Sequence, residues 1–298
     1  MLRLVFLGNA AAMPTPASPT SCFALKSGST FLFDCCEGAQ RQMMKYGISY
    51  AKVRCIFVSH LHADHFLGIL GLTQTLNMMG RQEELLIYGP EGTSDFFSGL
   101  FKMKQLRVNF PIKIIEIPKA KKKVYEDKLI RVDAFLVKHN APALGFAIEE
   151  QPINKFYEEK ARGLGIKGRL FSEIQEKGEV SINGKKIKLG DVTFIKNGKK
   201  IIYSGDSLPT AAVVKYSKGA DLLIHDSTFS DAHKGTAKEK FHSTAKECAE
   251  MARKAGVKKM VLTHISNRYD DPEILLGEAK AIFDNTELAR PGLELLVG

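Results

Sequence analysis

An α/β fold is predicted by two features of this sequence. Short apolar runs of strand length recur along the chain, separated by stretches with apolar residues at helical spacing. Several runs stop abruptly at histidine or aspartate. The densest case is Cys55 to His65, CIFVSHLHADH, where three histidines and one aspartate fall within six positions. Open α/β sheets place their chemistry at the C-terminal ends of strands, so one pattern indicates both a fold class and a candidate site. At 298 residues the chain has the length for one large core and an appendage.

In chain order, Leu2 to Leu7 is a strand entering a tight turn at Gly8-Asn9, and Met13 to Ser21, with three prolines, is a loop. Phe23 to Lys26 and Thr30 to Phe33 flank Ser27-Gly28-Ser29 as a hairpin. Glu37 to Lys45 has a helical pattern. Cys55 to Val58 is a buried strand that delivers the histidine cluster. Leu67 to Met79 carries Leu70, Leu72, Leu76 and Met79 at helical spacing, and this methionine-containing stripe belongs to a core rather than a cofactor pocket. Leu85 to Tyr88 is a strand and Gly92 to Phe101 a helix. Pro111 to Ile117 and Leu129 to Val137 are strands on either side of a basic, hairpin-like segment, Lys119 to Lys123, expected to be a solvated edge. The second of these strands leads to His139, and Gly145 to Glu149 is another strand.

From Pro152 to Leu189 the character changes. Nine Lys or Arg stand against five Glu, and two short helix-like stretches joined by glycines precede an Asn183-Gly184 hairpin turn. With few large apolar residues, residues 152–189 are expected to form a basic arm inserted in, and projecting from, a single domain spanning 1–298. Beyond it, the strand Lys200 to Ser204 leads to Asp206. Asp221 to Ile224 leads to HDSTF, from His225 to Phe229. Phe241 to Ala255 is a helix entered through His242-Ser243-Thr244, and Lys258 to Thr263 is a strand delivering His264. Pro272 to Phe283 is a helix and Leu293 to Val297 a closing strand.

Collected from these strand ends, His60, His62, Asp64, His65, His139, Asp206 and His264 offer nitrogen and oxygen donors that suit two borderline-soft divalent ions, zinc first and manganese second. His60, His62 and His139 are assigned to one ion, Asp64, His65 and His264 to the other, and Asp206 to both. A lone histidine is usually a satisfied core residue. This many costly polar groups at strand ends need a shared partner. Two dications lower the pKa of a water between them and take up charge on a phosphate oxygen, so no protein nucleophile is required.

Lys and Arg exceed Asp and Glu by ten, which favours a polyanionic partner without establishing one. The five cysteines (Cys22, Cys35, Cys36, Cys55, Cys248) are odd in number and lack C-x-x-C spacing, as expected of reduced, buried thiols in a cytoplasmic protein. The apolar part of the N-terminus is too short for a signal peptide, and no run reaches membrane-spanning length, so no membrane association is expected.

His-x-His-x-Asp-His after a strand resembles the signature of the metallo-β-lactamase superfamily of binuclear hydrolases. FDCCEGAQRQM from Phe33, VSHLHADHFLGILGL from Val58, YGP at Tyr88, SGDS at Ser204, HDSTF at His225, HST at His242 and LTHISNRY from Leu262 resemble, in order, the segments of the ribonuclease Z family in its short form. The resemblance implies an αββα sandwich of two mixed β-sheets flanked by helices, two Zn2+ per subunit, a homodimer, and removal of the 3′ trailer from precursor tRNA, leaving a 3′-hydroxyl. It places the arm at the family's tRNA-gripping exosite. It also implies that His242, oriented by Asp226, protonates the leaving oxygen, and that Asp64 orients or deprotonates the attacking water besides binding metal. His225 and His233 are expected to be structural or solvated.

The chain departs from the family's pattern in its N-terminal loop, where Pro14, Pro16, Ser18 and Pro19 replace a Pro-x-Lys-x-Arg-Asn pattern and two cations are lost. Asp226 stands for a glutamate, Cys36 for a glycine, and Gly168-Arg169 for Gly-Pro. The altered loop leaves an alternative open, a paralogous binuclear hydrolase of small phosphodiesters or other esters. A non-catalytic RNA-binding protein is disfavoured by the complete donor set.

Overall fold

The computed structural model describes residues 2–118 and 123–298, so the expected basic edge at Lys119 to Lys123 lies, except for Lys123, outside the described residues. The chain divides into two compact units, Met1–Glu149 with Lys199–Gly298, and Glu150–Gly198.

The larger unit holds two seven-stranded sheets. The first runs Glu294–Val297, Leu2–Gly8, Cys22–Ser27, Ser29–Phe33, Val53–Phe57, Leu85–Gly89, Ile112–Glu116 from edge to edge. Its first three junctions are antiparallel and its last three parallel. The second runs Thr286–Leu288, Met260–Thr263, Leu222–Asp226, Lys200–Tyr203, Leu144–Glu150, Ile130–Leu136, Lys123–Glu126. Three parallel junctions come first, and Lys200–Tyr203 pairs antiparallel with Leu144–Glu150. Both sheets are therefore mixed.

Side-chain alternation sorts these strands into four layers. In the first strand Leu2, Leu4 and Phe6 join a core shared with Ile130, Val132, Phe146, Ile201 and Ile224 of the second sheet, so this core lies between the sheets. Val5 and Leu7 point the other way, to Met43, Ile69, Leu72 and Phe97 of the helices Ala39–Lys45, Gly68–Met78 and Thr93–Lys102. On the second sheet Ile202 and Leu223 face Val213, Ala249, Ala252 and Leu275 of the helices Ala211–Ser217, Ala245–Ala255 and Glu273–Lys280. The result is the αββα sandwich expected. Phe23, Phe33, Phe57 and Tyr88 stack across four neighbouring strands at centroid spacings of 4.9 Å. Tyr203 meets this row edge-on at 5.2 Å from Phe23.

Several elements differ from the sequence reading. The helices Ala63–Phe66, Ala211–Ser217 and Lys234–Glu239 and the strand Thr286–Leu288 are too short to show periodicity. The helix expected from Phe241 begins at Ala245, because Thr244 and Glu247 close a capping box and Phe241 has a left-handed φ of 61°.

In the smaller unit, Ile153–Phe156 pairs with Thr193–Lys196, and Glu179–Ile182 with Lys185–Lys188 across Asn183 and Gly184, both left-handed. The unit runs to Gly198 rather than Leu189 because Thr193–Lys196 returns to pair, and a mostly exposed basic ribbon leaves no alternation to read. It also has more apolar substance than its composition suggests. Ala161, Ile166, Ile174, Val180, Ile187 and Val192 form a core of its own, covered by Phe156, Leu170 and Phe171.

Candidate metal centre

The strands Val53–Phe57, Ile130–Leu136, Lys200–Tyr203 and Met260–Thr263 each run out into one part of the site. His60, His62 and His139 bring ring nitrogens within 4.8 Å of one another, and Asp64, His65 and His264 form a second such group. Asp206 reaches both. Its Oδ2 lies 3.7 Å from His60 Nε2, 3.4 Å from His65 Nε2 and 3.1 Å from His264 Nε2. His62 turns its Nδ1 inward, 2.9 Å from His60 Nε2 and 3.3 Å from His139 Nε2.

The remaining ring nitrogens are held from behind. Nδ1 of His60 faces Ser59 Oγ at 3.0 Å, that of His65 faces Asp34 Oδ2 at 2.8 Å, and that of His139 faces the Phe241 carbonyl at 3.1 Å. Carbonyls and carboxylates only accept, so His65 and His139 carry hydrogen on Nδ1 and turn Nε2 to the centre. Among the described residues, Nε2 of His65 and of His264 is buried without a hydrogen-bond partner. Buried nitrogens left open among converging carboxylates fit a divalent metal and are costly without one.

Electrostatics point the same way. Burial pushes His60 well below the ordinary histidine range and lowers His62 and His139, which keeps these rings neutral and available as ligands. Burial alone would raise Asp64 and Asp206, but His264 and His65 outweigh it and hold both carboxyls low and ionised. His65 departs from this pattern: Asp206 and Asp34 outweigh its burial and raise it.

His242 borders both groups, its ring 5.0 Å from that of His264 and 5.1 Å from that of His139. Its Nδ1 is 2.8 Å from Asp226 Oδ2. Burial lowers the imidazole, but the Asp226 carboxylate outweighs it and lifts the ring to about 9, so it is protonated at neutral pH. Asp226 is fully buried and also accepts the backbone N–H groups of Ser207 and Thr228. His225 is buried against the Asp226 carbonyl at 2.7 Å and beside Cys248, and His233 lies by Tyr269, both away from the donor groups.

The sequence reading missed the residues that hold these side chains in place. Asp34 is fully buried and receives Ser59 N–H at 2.7 Å and Tyr203 O–H at 2.6 Å besides its bond to His65, so the aromatic core feeds directly into the site. Ser59, Thr228 and Phe241 were likewise unassigned. The available signal was Asp34 itself, a carboxylate closing an apolar strand. Asp34, Phe241 and His264 all have φ near 60°, a backbone cost of roughly 1–3 kcal/mol each that a packed surrounding must sustain. Gly68 admits no side chain, since a Cβ there would lie 2.0 Å from the Cys36 carbonyl oxygen, and this contact locks the helix behind the histidines to the Asp34 loop. All five cysteines are unbridged and buried.

The family model described as a beta-lactamase superfamily domain matches residues 183–265, and that of the anti-Pycsar protein Apyc1 matches residues 2–97. The chain is 41% identical to ribonuclease Z of Methanosarcina mazei over 100% of its own length and 98% of the relative's. It is 43% identical to ribonuclease Z of Methanosarcina acetivorans over 99% and 98%. Among solved structures it resembles human tRNase Z, short form, with a TM-score of 0.71 at 26% identity, covering 99% of each chain.

Proposed function

Because the chain belongs to the ribonuclease Z family, we propose that it is an endoribonuclease that hydrolyses one phosphodiester of precursor tRNA, releasing the 3′ trailer and leaving a 3′-hydroxyl. The observation that carries this reading is the pair of three-residue donor groups joined through Asp206, with the hydrogen-bonded His242–Asp226 pair at their border.

In this reading His60, His62 and His139 would hold one zinc ion, Asp64, His65 and His264 would hold a second, and Asp206 would serve both, with manganese able to replace zinc. Bound there, the two ions supply a water of lowered pKa and positive charge for the phosphate oxygens. Asp64 orients that water. His242 holds a proton on the ring nitrogen remote from Asp226 and delivers it to the departing 3′ oxygen, which cannot leave as an alkoxide. Arg268, whose guanidinium lies 4.8 Å above the Phe229 ring, offers a cation for a substrate phosphate, and Phe229 in turn neighbours His242 with ring centroids 6.2 Å apart. The basic unit Glu150–Gly198 grips the tRNA body, and the protein acts as a homodimer. The unbridged thiols support a cytoplasmic setting. Among the described residues no helix is long and apolar enough to cross a membrane.

The test is cleavage of a precursor tRNA bearing a 3′ trailer, with zinc or manganese, mapping the new end. One cut near the end of the acceptor stem supports the reading. Intact tRNA alongside rapid hydrolysis of a small phosphodiester would instead support the small-substrate alternative.

A further inference from the structure

Thr228 serves two functional groups with one hydroxyl. Its Oγ1 lies 2.6 Å from Asp226 Oδ1 and 2.8 Å from His264 Nδ1. The two groups it joins are too far apart to bond directly, with His264 Nδ1 3.9 Å from Asp226 Oδ1. Asp226 is ionised and therefore only accepts, taking the Thr228 N–H at the same Oδ1 and both Ser207 N–H and His242 Nδ1 at Oδ2. The hydroxyl has a single hydrogen. At 2.6 Å from an acceptor-only carboxylate that hydrogen points to Asp226, which leaves the Thr228 oxygen only its lone pairs for His264. His264 Nδ1 must then carry a hydrogen, and the lone pair falls on Nε2. Nε2 is the atom that is buried without a hydrogen-bond partner among the described residues, 3.1 Å from Asp206 Oδ2 and 3.6 Å from Asp64 Oδ2.

We propose that Thr228 is a positioning residue of the metal centre, fixing His264 in the Nδ1–H tautomer and tying it to the carboxylate that also orients His242. The inference rests on the metal-binding reading above. An independent feature supports it, because the other donor group repeats the device. Ser59 Oγ lies 3.0 Å from Asp34 Oδ2 and 3.0 Å from His60 Nδ1, so a hydroxyl again stands between a buried carboxylate and a ligand imidazole. Each donor group thus contains one histidine whose tautomer is set through a hydroxyl. Thr228 differs from Ser59 in that its carboxylate also serves the proton donor.

The experiment compares full-length wild type, Thr228→Val, which keeps the shape and removes the hydroxyl, and Thr228→Ser, which keeps the hydroxyl. Each protein is stripped with a chelator and titrated with zinc against a chromophoric competitor. Nitrogen-15 spectra of the stripped proteins report the His264 tautomer, and thermal denaturation reports folding. We expect wild-type His264 as Nδ1–H, zinc affinity lowered about 10- to 100-fold in Thr228→Val, and affinity restored to near wild type in Thr228→Ser. Wild-type His264 in the Nε2–H form, or unchanged zinc affinity in a folded Thr228→Val, would overturn the proposal. Should Thr228→Val fail to fold, the wild-type spectrum and the serine variant decide the matter by themselves. Wild type that binds no zinc overturns the metal-centre reading instead, which is a separate result.

Discussion

The backbone N–H of Ala12 points at Asp64 Oδ2 from 3.2 Å, across 52 positions of sequence. From the same loop Thr20 Oγ1 donates to the Asp64 carbonyl at 2.7 Å, so the proline-rich segment clasps the ligand loop at both its side chain and its backbone. Thr20→Val removes one half of that clasp. The expected cost is about 0.5–1.5 kcal/mol of stability, with weaker zinc binding, read by denaturant unfolding and zinc titration. Wild-type values in both would show that the loop does not restrain Asp64.

His242→Ala should lower the rate of precursor tRNA cleavage by roughly 10²–10⁴-fold while leaving zinc content unchanged. An aryl phosphodiester has a leaving group that departs without protonation. Its hydrolysis should therefore fall much less in the same variant, and equal losses on both substrates would argue that His242 shapes the site rather than donating a proton.

Arg268→Gln removes a cation that has no ion pair among the described residues. A lost phosphate contact weakens RNA binding across sequences and reduces the slope of log affinity against log salt by about one. Binding measured from low to moderate salt gives that slope. Hydrolysis of a small phosphodiester should stay the same, and an unchanged slope would exclude Arg268 from the phosphate path.

Asp221 ties the strand Leu222–Asp226 to its neighbours. Its carboxylate accepts from Lys258 Nζ at 2.8 Å, the Lys200 N–H at 2.9 Å and Lys199 Nζ at 3.3 Å. Burial would raise this carboxyl, but the three donors together outweigh it and hold it below the ordinary range. A depressed folded pKa stabilises the protein above the unfolded value near 3.9 and loses that contribution as pH falls through the folded value. Asp221→Asn should therefore lower the melting temperature at neutral pH, with the difference from wild type closing as the solution becomes more acidic than the unfolded pKa. A difference that does not depend on pH would contradict this.

The side chains that converge as candidate donors were legible in the sequence because histidine and aspartate are costly at the ends of apolar strands. His60, His139, Asp206 and His264 each break such a run. The residues that fix them were not legible, since Ser59 and Thr228 are common turn residues and Phe241 contributes only a carbonyl. Asp34 was overlooked because a single aspartate after a strand reads as a turn until the fold brings it to His65. The sheets were legible by alternation. The ribbon Ile153–Phe156 with Thr193–Lys196 was not, because most of its side chains are exposed and no buried face imposes a pattern.

The separate core of Glu150–Gly198 has a consequence for heating. Its five buried isoleucine and valine side chains contribute about 1.5–3 kcal/mol each before chain entropy is subtracted. The frame rests on three far larger clusters. The segment leaves and re-enters the frame where Glu149 pairs with Lys200, at the place a hairpin turn would occupy, so its melting need not disturb the ladder that carries Asp206. Calorimetry should resolve two transitions, the smaller at the lower temperature, and a single transition would show the segment and frame to be one cooperative body. If the segment grips tRNA as proposed above, the warmed protein between the two transitions would still hydrolyse small diesters but have lost its hold on tRNA, so temperature would alter substrate choice before it abolished chemistry.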